Sequence, residues 1–419
     1  MTFNPVLSNL PAPAESNIAM RVKPAAERAL RKGHPWCYES AITHQSRDGA
    51  PGDLAVIFDS KRNFLAVGLY DPTSMIRVRV LQNRKSAQIN TAWFAGQLEK
   101  AVQLRAPLAN KPSERRTTGY RLVHGENDGL PGLVIDRYAD TLVMKLYTPA
   151  WVPHLAAVCT ALSRVHPAER LILRLSRSLQ DQPDLLFGLS DGLILIGPEL
   201  DGPILFQENG LFFESDPIQG QKTGFFLDQR KNRARVETLS AGKSVLNVFA
   251  YTGGFSVYAA RGGASQVVSV DLSKPACEAA VRNMNHNRQH PLVAAADHQI
   301  IAEDAFIVMS QMKTDRKLFD LVIIDPPMFA QNQTQIAAAV SAYRRLTQMG
   351  LGVLRPGGIL VQASCSSRVD TGTFFDTIHH TAREIGRSLQ EIERTGHALD
   401  HPISYPEGAY LKCLFAKAP

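Results

Sequence analysis

The sequence contains few cysteines and no long uncharged apolar run, and each absence excludes a class of protein. No apolar stretch reaches the ~18–20 residues that a membrane helix needs, and residues 1–20 lack the basic start and apolar block of a secretory signal. The five cysteines are widely separated and form no Cys-x-x-Cys pair, which argues against a zinc ribbon and a disulfide scaffold. We therefore expect a cytoplasmic protein that uses neither a membrane nor a metal.

Length and composition indicate a globular protein with several domains. The chain has 419 residues, of which 44% are apolar and 20% are charged. Domains usually hold ~100–200 residues, so this length predicts two or three of them. The apolar fraction is large enough for each domain to bury a hydrophobic core.

Positive charge is concentrated near the start of the chain. Residues 21–85 carry 12 Lys and Arg against 6 Asp and Glu, so +6 of the total net charge of +7 lies in this stretch. A basic region on a nearly neutral body favours a polyanionic partner such as nucleic acid. The alternative is that these charges only keep the surface soluble.

The pattern of strands, helices and turns divides the chain into a short leader and three segments. The leader is rich in proline and small polar residues, which predicts a flexible leader. The segments are predicted to be a small β-barrel, an α+β domain, and an α/β domain whose alternating strands and helices form a doubly wound parallel sheet. The predicted boundaries are 1–17 for the leader and 18–82, 83–215 and 216–419 for the three segments.

Candidate ligands for nucleic acid lie in the first segment. Lys32, His34 and Trp36 belong to a basic, aromatic stretch before the predicted strands. Arg77 and Arg79 fall on one face of a predicted strand, because side chains alternate between its two faces. Such a face can follow a phosphate backbone, but it can equally be the solvated side of a small barrel, and both interpretations stay open.

In the third segment, five predicted strands end in residues suited to binding or chemistry. Open α/β sheets bind their ligands outside the carboxyl ends of the strands. Each residue alone also has a structural explanation, such as a turn or a helix N-cap, but five such strand ends at one sheet edge favour a ligand site. The residues are Asn247, Phe249, Ala250, Tyr251 and Gly253 after the first strand, Asp271 after the second, Asp304 after the third, Asp325 and Phe329 after the fourth, and Cys365 after the fifth.

This set favours S-adenosylmethionine over a dinucleotide as the cofactor. The first turn lacks the Gly-x-Gly-x-x-Gly pattern of dinucleotide-binding domains. Asp271 lies 24 residues after Asn247, which is about where an acidic residue meets ribose hydroxyl groups. The acidic pair Glu303 and Asp304 is suited to accept a hydrogen bond from an adenine amino group.

On these residues the third segment resembles a class I methyltransferase, and from about residue 20 onward the chain resembles the RlmI-type 23S ribosomal RNA cytosine-5 methyltransferases. The motifs that carry the resemblance are 221–230, 247–254, the Asp-Pro-Pro-x-Phe box at 325–329, the Ser-Cys-Ser box at 364–366, and His401-Pro402 with Tyr405-Pro406-Glu407-Gly408. The resemblance implies a Rossmann-like methyltransferase domain preceded by a PUA domain and a β-β-α-β-β linker domain. It also implies ribosomal RNA as the partner and allows a homodimer.

The resemblance implies roles for individual residues. It places Asp271 at the ribose and Asp304 at the adenine of S-adenosylmethionine. The family motif that holds the cofactor and closes over it corresponds here to Gln221, Thr223, Gly224, Phe226, Asp228 and Arg230. The best-known RNA cytosine-5 methyltransferases carry a Pro-Cys where this chain has Pro326-Pro327. The RlmI-type enzymes share that absence, which leaves open which group removes the C5 proton.

Methylation of cytosine at C5 explains why Cys365 and Asp325 are the predicted catalytic residues. Attack of a thiolate on C6 turns the ring into an enamine whose C5 accepts a methyl group. A carboxylic acid at N3, predicted to be Asp325, keeps the ring protonated as charge develops, which requires a raised pKa. The target base must leave its stack. Phe329 and Tyr251 are placed to stack on it, although a core role for either fits as well.

Two other functions remain open. Enzymes that methylate amino groups use a similar acid-Pro-Pro-aromatic box, so N-methylation of a guanine or another amine in RNA is an alternative in which Cys365 is dispensable. A catalytically silent RNA-binding factor that keeps the cofactor fold is a second alternative. Most cysteines outside disulfides are small buried hydrophobes, and Cys365 can be one too. Related enzymes that methylate guanine at N7 lack a cysteine in this box, so Cys365 discriminates between the two reactions.

Overall fold

The protein folds into two compact units in a computed structural model that describes residues 2–330 and 332–419. The first unit comprises residues 2–207, 215–225 and 399–405. The second comprises residues 208–214, 226–398 and 406–419. In the described part of the chain, no helix is both long enough and apolar enough to span a membrane.

The strands of the first two sheets lie between residues 18 and 196. They are β1 (Ile18–Val22), β2 (Trp36–Cys37), β3 (Ile42–Gln45), β4 (Leu54–Phe58), β5 (Phe64–Tyr70), β6 (Val78–Asn83), β7 (Gly119–His124), β8 (Leu133–Tyr138), β9 (Thr141–Leu146), β10 (Arg170–Leu175) and β11 (Ile194–Ile196). The helices in this stretch are α1 (Pro24–Arg31), α2 (Thr91–Ala109), α3 (Leu155–Val165) and α4 (Arg177–Gln180). Two further strands, β12 (Ile204–Glu208) and β13 (Leu211–Ser215), follow in the chain.

Residues 18–83 form a six-stranded sheet in the order β2-β6-β5-β4-β1-β3. Neighbouring strands are antiparallel except β1 and β4, which are parallel. The prediction of a small β-domain is confirmed. The β-rich runs at 64–70 and 75–81 of the sequence predict two of its strands, and β5 has the bounds of the first run. β6 begins at Val78, three residues later than predicted, because the Ser74 hydroxyl accepts from the Ile76 amide and extends the preceding turn.

Part of the predicted leader contacts the rest of the first unit, and the flexibility of the leader stays a prediction. A 3-10 helix spans Pro5–Asn9 and buries the side chain of Leu7. The backbone N–H of Asn4 donates to the Leu195 carbonyl at 2.9 Å. Leu7 therefore anchors the start of a stretch in which most other residues are exposed.

Residues 119–196 form a five-stranded sheet in the order β11-β10-β9-β8-β7. β9 and β10 are parallel and are joined through α3, while the other neighbouring pairs are antiparallel. The predicted α+β domain is confirmed, although its order from β7 to β11 is β-β-β-α-β-α-β, with one strand and one short helix more than the resemblance implies. Its core includes the buried side chains of Trp151 and Phe94.

The strands of the third sheet and the helices between them lie in the second unit. The strands are β14 (Ser244–Val248), β15 (Gln266–Asp271), β16 (Asp297–Ala302), β17 (Phe319–Ile324), β18 (Leu354–Ser364), β19 (Gln390–Thr395) and β20 (Lys412–Ala418). The helices are α5 (Arg230–Leu239), α6 (Gly254–Arg261), α7 (Lys274–His286), α8 (Pro291–Ala295), α9 (Ala305–Thr314), α10 (Ile336–Gly352) and α11 (Thr371–Glu384).

The third sheet has the strand order β16-β15-β14-β17-β18-β20-β19. Strands β14 to β18 pair in parallel, as predicted for a doubly wound sheet. β20 is antiparallel to both of its neighbours, so the sheet is mixed rather than parallel throughout. The three main sheets follow the succession of the predicted segments, but the boundaries at 82 and 215 stay predictions.

One buried arginine connects three parts of the first unit. Arg105 on α2 is 1% exposed. Its guanidinium forms a bidentate pair with Asp128, with both N–O distances at 2.7 Å. It also donates to the carbonyl of Arg121 at 3.0 Å and to that of Asp400 at 2.9 Å. Because an unpaired buried charge is strongly unfavourable, the Asp128 carboxylate is stabilised at this position by its pairing with Arg105.

Replacing Arg105 with Met should lower the free energy of unfolding of the first unit by about 3–5 kcal/mol, because Asp128 would keep a buried charge without its partner. All three tryptophans of the chain belong to the first unit, so urea unfolding followed by tryptophan fluorescence reports on that unit. Arg21→Met, at an exposed position on β1, is the control and should change the midpoint little. A loss no larger than that of the control would show that the buried pair is not needed.

Candidate functional site

The register of the parallel strands brings predicted site residues to one edge of the third sheet. Val248 at the end of β14 lies level with Val270 on β15 and with Ile324 on β17. Neighbouring strands lie about 4.8 Å apart, so the residues that come next share the carboxyl edge of the sheet. These residues are Phe249, Asp271 and Asp325.

The turn after β14 has an unusual backbone. Phe249 and Tyr251 have positive φ values of 60° and 48°, and Gly253 has a φ of 76°. A bulky residue in this region is strained by roughly 1–3 kcal/mol, and such residues cluster at ligand sites. The N–H of Ala250 donates to the Val270 carbonyl at 3.0 Å and fixes the turn to β15. The turn is therefore held in a conformation that the chain would not adopt by itself.

Two of the predicted cofactor ligands are oriented by backbone amides. Asp271 accepts from the N–H groups of Tyr251 at 2.7 Å and of Ser273 at 2.9 Å. Asp304 caps the N-terminus of α9, because its Oδ1 accepts from two N–H groups of the first helical turn. Contact of Asp271 with the ribose and of Asp304 with the adenine stays a prediction.

Asn247 lies inside the second unit and supports the turn from within. It is fully buried on β14, and its Nδ2 donates to the Ser256 hydroxyl at 2.9 Å. The Ser256 hydroxyl pairs with that of Ser269 at 2.7 Å, which in turn pairs with His298 at 2.9 Å. In the described part of the chain the buried Oδ1 of Asn247 has no hydrogen-bond partner.

The predicted cofactor motif at 221–230 is divided between the two units. Gln221, Thr223 and Gly224 belong to the first unit, whereas Phe226, Asp228 and Arg230 belong to the second. In the first unit, the Thr223 hydroxyl donates to the Asp136 carboxylate at 2.5 Å and pairs with the Tyr138 hydroxyl at 3.2 Å. These contacts give Thr223 a structural role, and the cofactor role of the six residues stays a prediction.

Buried polar contacts fix the start of α5 within the second unit. Asp228 accepts from the Tyr410 hydroxyl at 2.9 Å. Arg233 forms a bidentate pair with Glu208 at 2.8 and 2.6 Å and donates to the carbonyl of Phe226 at 2.9 Å. Arg230, the first residue of this helix, is buried as well. Such contacts are strong because little water screens them.

A chain of buried amide and hydroxyl groups orients Asp325. The Nε2 of Gln229 donates to Oδ1 of Asp325 at 2.8 Å. The Nδ2 of Asn232 donates to the Gln229 side-chain oxygen at 2.6 Å, and the Thr395 hydroxyl donates to Oδ1 of Asn232 at 2.5 Å. Each donor in this chain is fixed by the next, so the carboxyl group is held in one orientation.

Cys365 follows the last residue of β18 and is the one cysteine of the five that is not buried. The preceding Ser364 pairs through its hydroxyl with that of Tyr343 at 2.7 Å. The following Ser366 donates from its hydroxyl to the Ala330 carbonyl at 3.4 Å, in the stretch that follows Asp325. The residues on both sides of the thiol are therefore fixed to other parts of the second unit.

Two of the residues predicted to bind RNA, His34 and Trp36, belong to an aromatic cluster in the first unit. Lys32 is exposed after α1. The rings of Trp36 and Tyr405 are 5.2 Å apart, and the ring of His34 lies 6.4 Å from that of Tyr38. Tyr38 and Tyr405 are absent from the predicted set, although Tyr405 belongs to a motif that carries the resemblance.

Three further predicted RNA ligands are less accessible. Arg77 forms an ion pair with Glu39. Arg79 is only 8% exposed and lies 4.0 Å from the Glu126 carboxylate, which corrects the expectation of a solvated strand face. Phe329 packs against the core of the second unit. RNA contact by these three residues stays a prediction.

Three residues that contact the predicted catalytic pair or its neighbours are absent from the predicted set. Gln229 lies inside the quoted motif between Asp228 and Arg230, which is a local signal. Asn232 and Tyr343 have no such signal, because their partners lie far away in sequence.

The residues at the carboxyl edge fit S-adenosylmethionine by their chemistry. Asp271 after β15 and Asp304 after β16 are carboxylates that can accept hydrogen bonds from hydroxyl and amino groups, and the strained turn at 249–253 donates the Tyr251 N–H to Asp271. This arrangement matches the general position of ligands in doubly wound sheets.

Replacing Asp271 with Ala should weaken the binding of S-adenosylhomocysteine about 10- to 150-fold, since hydrogen bonds to a charged group contribute about 1.5–3 kcal/mol. Isothermal titration calorimetry measures this change. Asp271→Asn keeps one acceptor oxygen and should lose less affinity. Asp297→Ala, at the exposed amino end of β16, is the matched control and should bind normally. Equal affinities of the Asp271→Ala and control proteins would remove Asp271 from the cofactor site.

Comparison with known proteins identifies the family. A model of S-adenosylmethionine-dependent methyltransferases matches residues 190–417, and a model of PUA-like domains matches residues 20–83. A Deinococcus radiodurans relative named ribosomal RNA large subunit methyltransferase is 45% identical over 406 residues, with 97% of this chain and 98% of the relative covered. A Photobacterium profundum relative named ribosomal RNA large subunit methyltransferase I is 37% identical over 394 residues, with 92% and 96% covered.

Solved structures agree on the fold. A Streptococcus mutans protein described as an S-adenosylmethionine-dependent methyltransferase matches with a TM-score of 0.79 at 24% identity, covering 95% of this chain and 99% of its own. A methyltransferase solved in complex with SAH matches with a TM-score of 0.80 at 24% identity, with the same coverage. The expected fold class and cofactor are thereby confirmed. The chain belongs to the ribosomal RNA large subunit methyltransferase family, whose members are S-adenosylmethionine-dependent enzymes with a PUA-like domain before the methyltransferase domain.

Proposed function

We propose that the protein forms 5-methylcytosine in large-subunit, 23S-type ribosomal RNA through a covalent bond between Cys365 and C6 of the base. The observation that carries the proposal is the partial exposure of Cys365 at the carboxyl edge of the third sheet, directly after β18. The names of the relatives support large-subunit ribosomal RNA as the substrate class.

The other four cysteines are unsuited to nucleophilic attack, because burial disfavours the thiolate. Burial raises the pKa of the Cys37 thiol to about 12 and the pKa of the Cys159 thiol to about 12. It also raises the pKa of Cys277 and, still more, the pKa of Cys413. Only the thiolate attacks an electrophilic carbon at a useful rate, so Cys365 is the best candidate nucleophile.

In the proposed reaction Cys365 activates the base. Its thiolate attacks C6 and forms the S–C6 bond, which makes C5 electron-rich. S-Adenosylmethionine, when bound at the same sheet edge, supplies the methyl group that C5 receives. Loss of the C5 proton to a base then lets Cys365 leave C6 as a thiolate with the electron pair of the S–C6 bond.

Asp325 is the proposed proton donor at N3 of the base. A proton shared between the Asp325 carboxyl group and N3 stabilises the ring while the thiolate adds to C6. Gln229 holds one carboxyl oxygen of Asp325, and Asn232 and Thr395 hold Gln229 in place. A fixed carboxyl group needs no reorientation during the reaction, which supports this role.

The first unit is proposed to hold the RNA chain. Bases in single-stranded RNA stack on aromatic rings, and His34 and Trp36 belong to an aromatic cluster. Lys32 is exposed and is suited to contact a phosphate. The target base itself must leave its stack to reach the thiol.

Ribosomal RNA that contains 5-azacytosine should form a covalent adduct with the wild-type protein and none with Cys365→Ala. A ring nitrogen at position 5 carries no proton to lose after methylation, so the S–C6 bond persists. A denaturing gel of protein, S-adenosylmethionine and this RNA detects the adduct. Ser367→Ala, an exposed position two residues away, is the control and should form the adduct normally.

Two results would contradict the proposal in different ways. Methyl transfer without an adduct, and unchanged in Cys365→Ala, would favour N-methylation of a guanine or another amine. Binding of S-adenosylmethionine without methyl transfer to any ribosomal RNA would favour a catalytically silent RNA-binding factor. Digestion of the product RNA to nucleosides and mass spectrometry identifies the methylated base.

Replacing Lys32 with Ala should weaken RNA binding and reduce the slope of log affinity against log salt concentration by about 1, as expected for one lost phosphate contact. Filter binding at several salt concentrations measures both quantities. Lys100→Ala, which removes an exposed lysine from α2, is the matched control. Identical slopes for both variants would exclude Lys32 from the RNA interface.

A further inference from the structure

A buried lysine lies next to the stretch that carries Cys365. Lys412 is the first residue of β20 and is 3% exposed. β20 pairs antiparallel with β18, and the register sets Lys412 opposite Ser364, the residue before Cys365. Lysine is almost never buried unless it is paired, so its contacts at this position are informative.

The ammonium group of Lys412 binds the backbone that follows Cys365. Its Nζ donates to the Ser366 carbonyl at 2.6 Å and to the Val369 carbonyl at 2.5 Å. Both bonds are charge-assisted and therefore stronger than bonds between neutral groups. The two bonds fix the backbone between Cys365 and Asp370, and Asp370 is the N-cap residue of α11.

We propose that Lys412 is a positioning residue for Cys365: its Nζ fixes the backbone after the thiol, and its positive charge favours the thiolate. This inference rests on the proposed covalent reaction. The pairing of Ser364 with Tyr343 fixes the backbone before the thiol. Lys412 acts through Cys365 and does not contact the base in this role.

The charge of Lys412 changes near neutral pH. Burial lowers the pKa of Lys412 to about 8, and the nearby Asp370 and Cys365 oppose this effect. The lysine is therefore charged at pH 7 and loses its charge as the pH rises through about 8. Tyr343 on α10 also lies near Cys365, and Asp325 after β17 lies near Tyr343. Burial raises the pKa of Tyr343 to about 12, so Tyr343 stays neutral in this range.

The test measures alkylation of Cys365 by iodoacetamide in the full-length protein without RNA, from about pH 6 to about pH 10. The thiolate displaces iodide and forms a stable S–C bond, while Cys365→Ala gives the background from the four buried cysteines. In Lys412→Met the midpoint of the rate profile should rise by about 1 unit, and the rate at pH 7 should fall about tenfold, since loss of an opposite charge shifts a pKa by about 1–3 units.

Two variants separate the charge from other effects. Lys412→Arg keeps the positive charge and should keep most of the wild-type profile. Lys417→Met removes an exposed lysine from the same strand and should leave the profile unchanged. Thermal unfolding and binding of S-adenosylhomocysteine establish that each variant is folded, and Lys412→Gln replaces Lys412→Met if the latter does not fold.

The outcomes distinguish this inference from the proposed reaction. A wild-type alkylation profile in a folded Lys412→Met or Lys412→Gln protein would overturn the role of Lys412. A shifted profile in a protein that makes no 5-methylcytosine would support the role of Lys412 and reject the proposed reaction. A shifted profile with a parallel loss of the covalent RNA adduct at pH 7 would support both.

Discussion

The candidate site depends on the parallel register of β14, β15, β17 and β18. Most residues of β14, β15 and β17 and of the second half of β18 are buried, so a slip by one residue would turn each buried side chain to the opposite face of the sheet. The core therefore fixes where each strand ends. Since all four strands run in the same direction, the residues after them meet at one edge, and the packing that stabilises the second unit also positions Asp271, Asp325 and Cys365.

Register places backbones but does not orient side chains, and buried polar contacts supply the orientation. Gln229 orients Asp325, and Lys412 binds the backbone after Cys365. Each contact joins residues that are far apart in sequence and little exposed to water, where a hydrogen bond is strong and an unmade one is costly. The site is thus rigid because its supports are members of the folded core rather than of the loops themselves.

The difference between strand register and side-chain orientation explains what could be predicted from the sequence. Strand and helix alternation is a local pattern, so β5 and the doubly wound succession of the second unit were predictable, and a carboxyl edge with Asp271 and Cys365 follows from that succession. Other elements depend on partners that are distant in the chain. These elements are the short strands β1 to β3, the antiparallel strand β20 and the 3-10 helix at Pro5–Asn9. The supports Tyr343 and Lys412 depend on such partners too, because nothing near them in sequence indicates what they contact.

Burial acts in opposite directions on the other thiols of the chain and on the amine beside the proposed nucleophile. Burial disfavours any charge, so it raises the pKa of the thiols at Cys159 and Cys413 and lowers the pKa of the amine at Lys412. Cys365 is partly exposed, and an amine whose pKa is lowered only to about 8 still carries its charge at neutral pH. Cys365 is the cysteine at which both conditions hold, so its environment, more than its identity as a cysteine, favours it as the nucleophile.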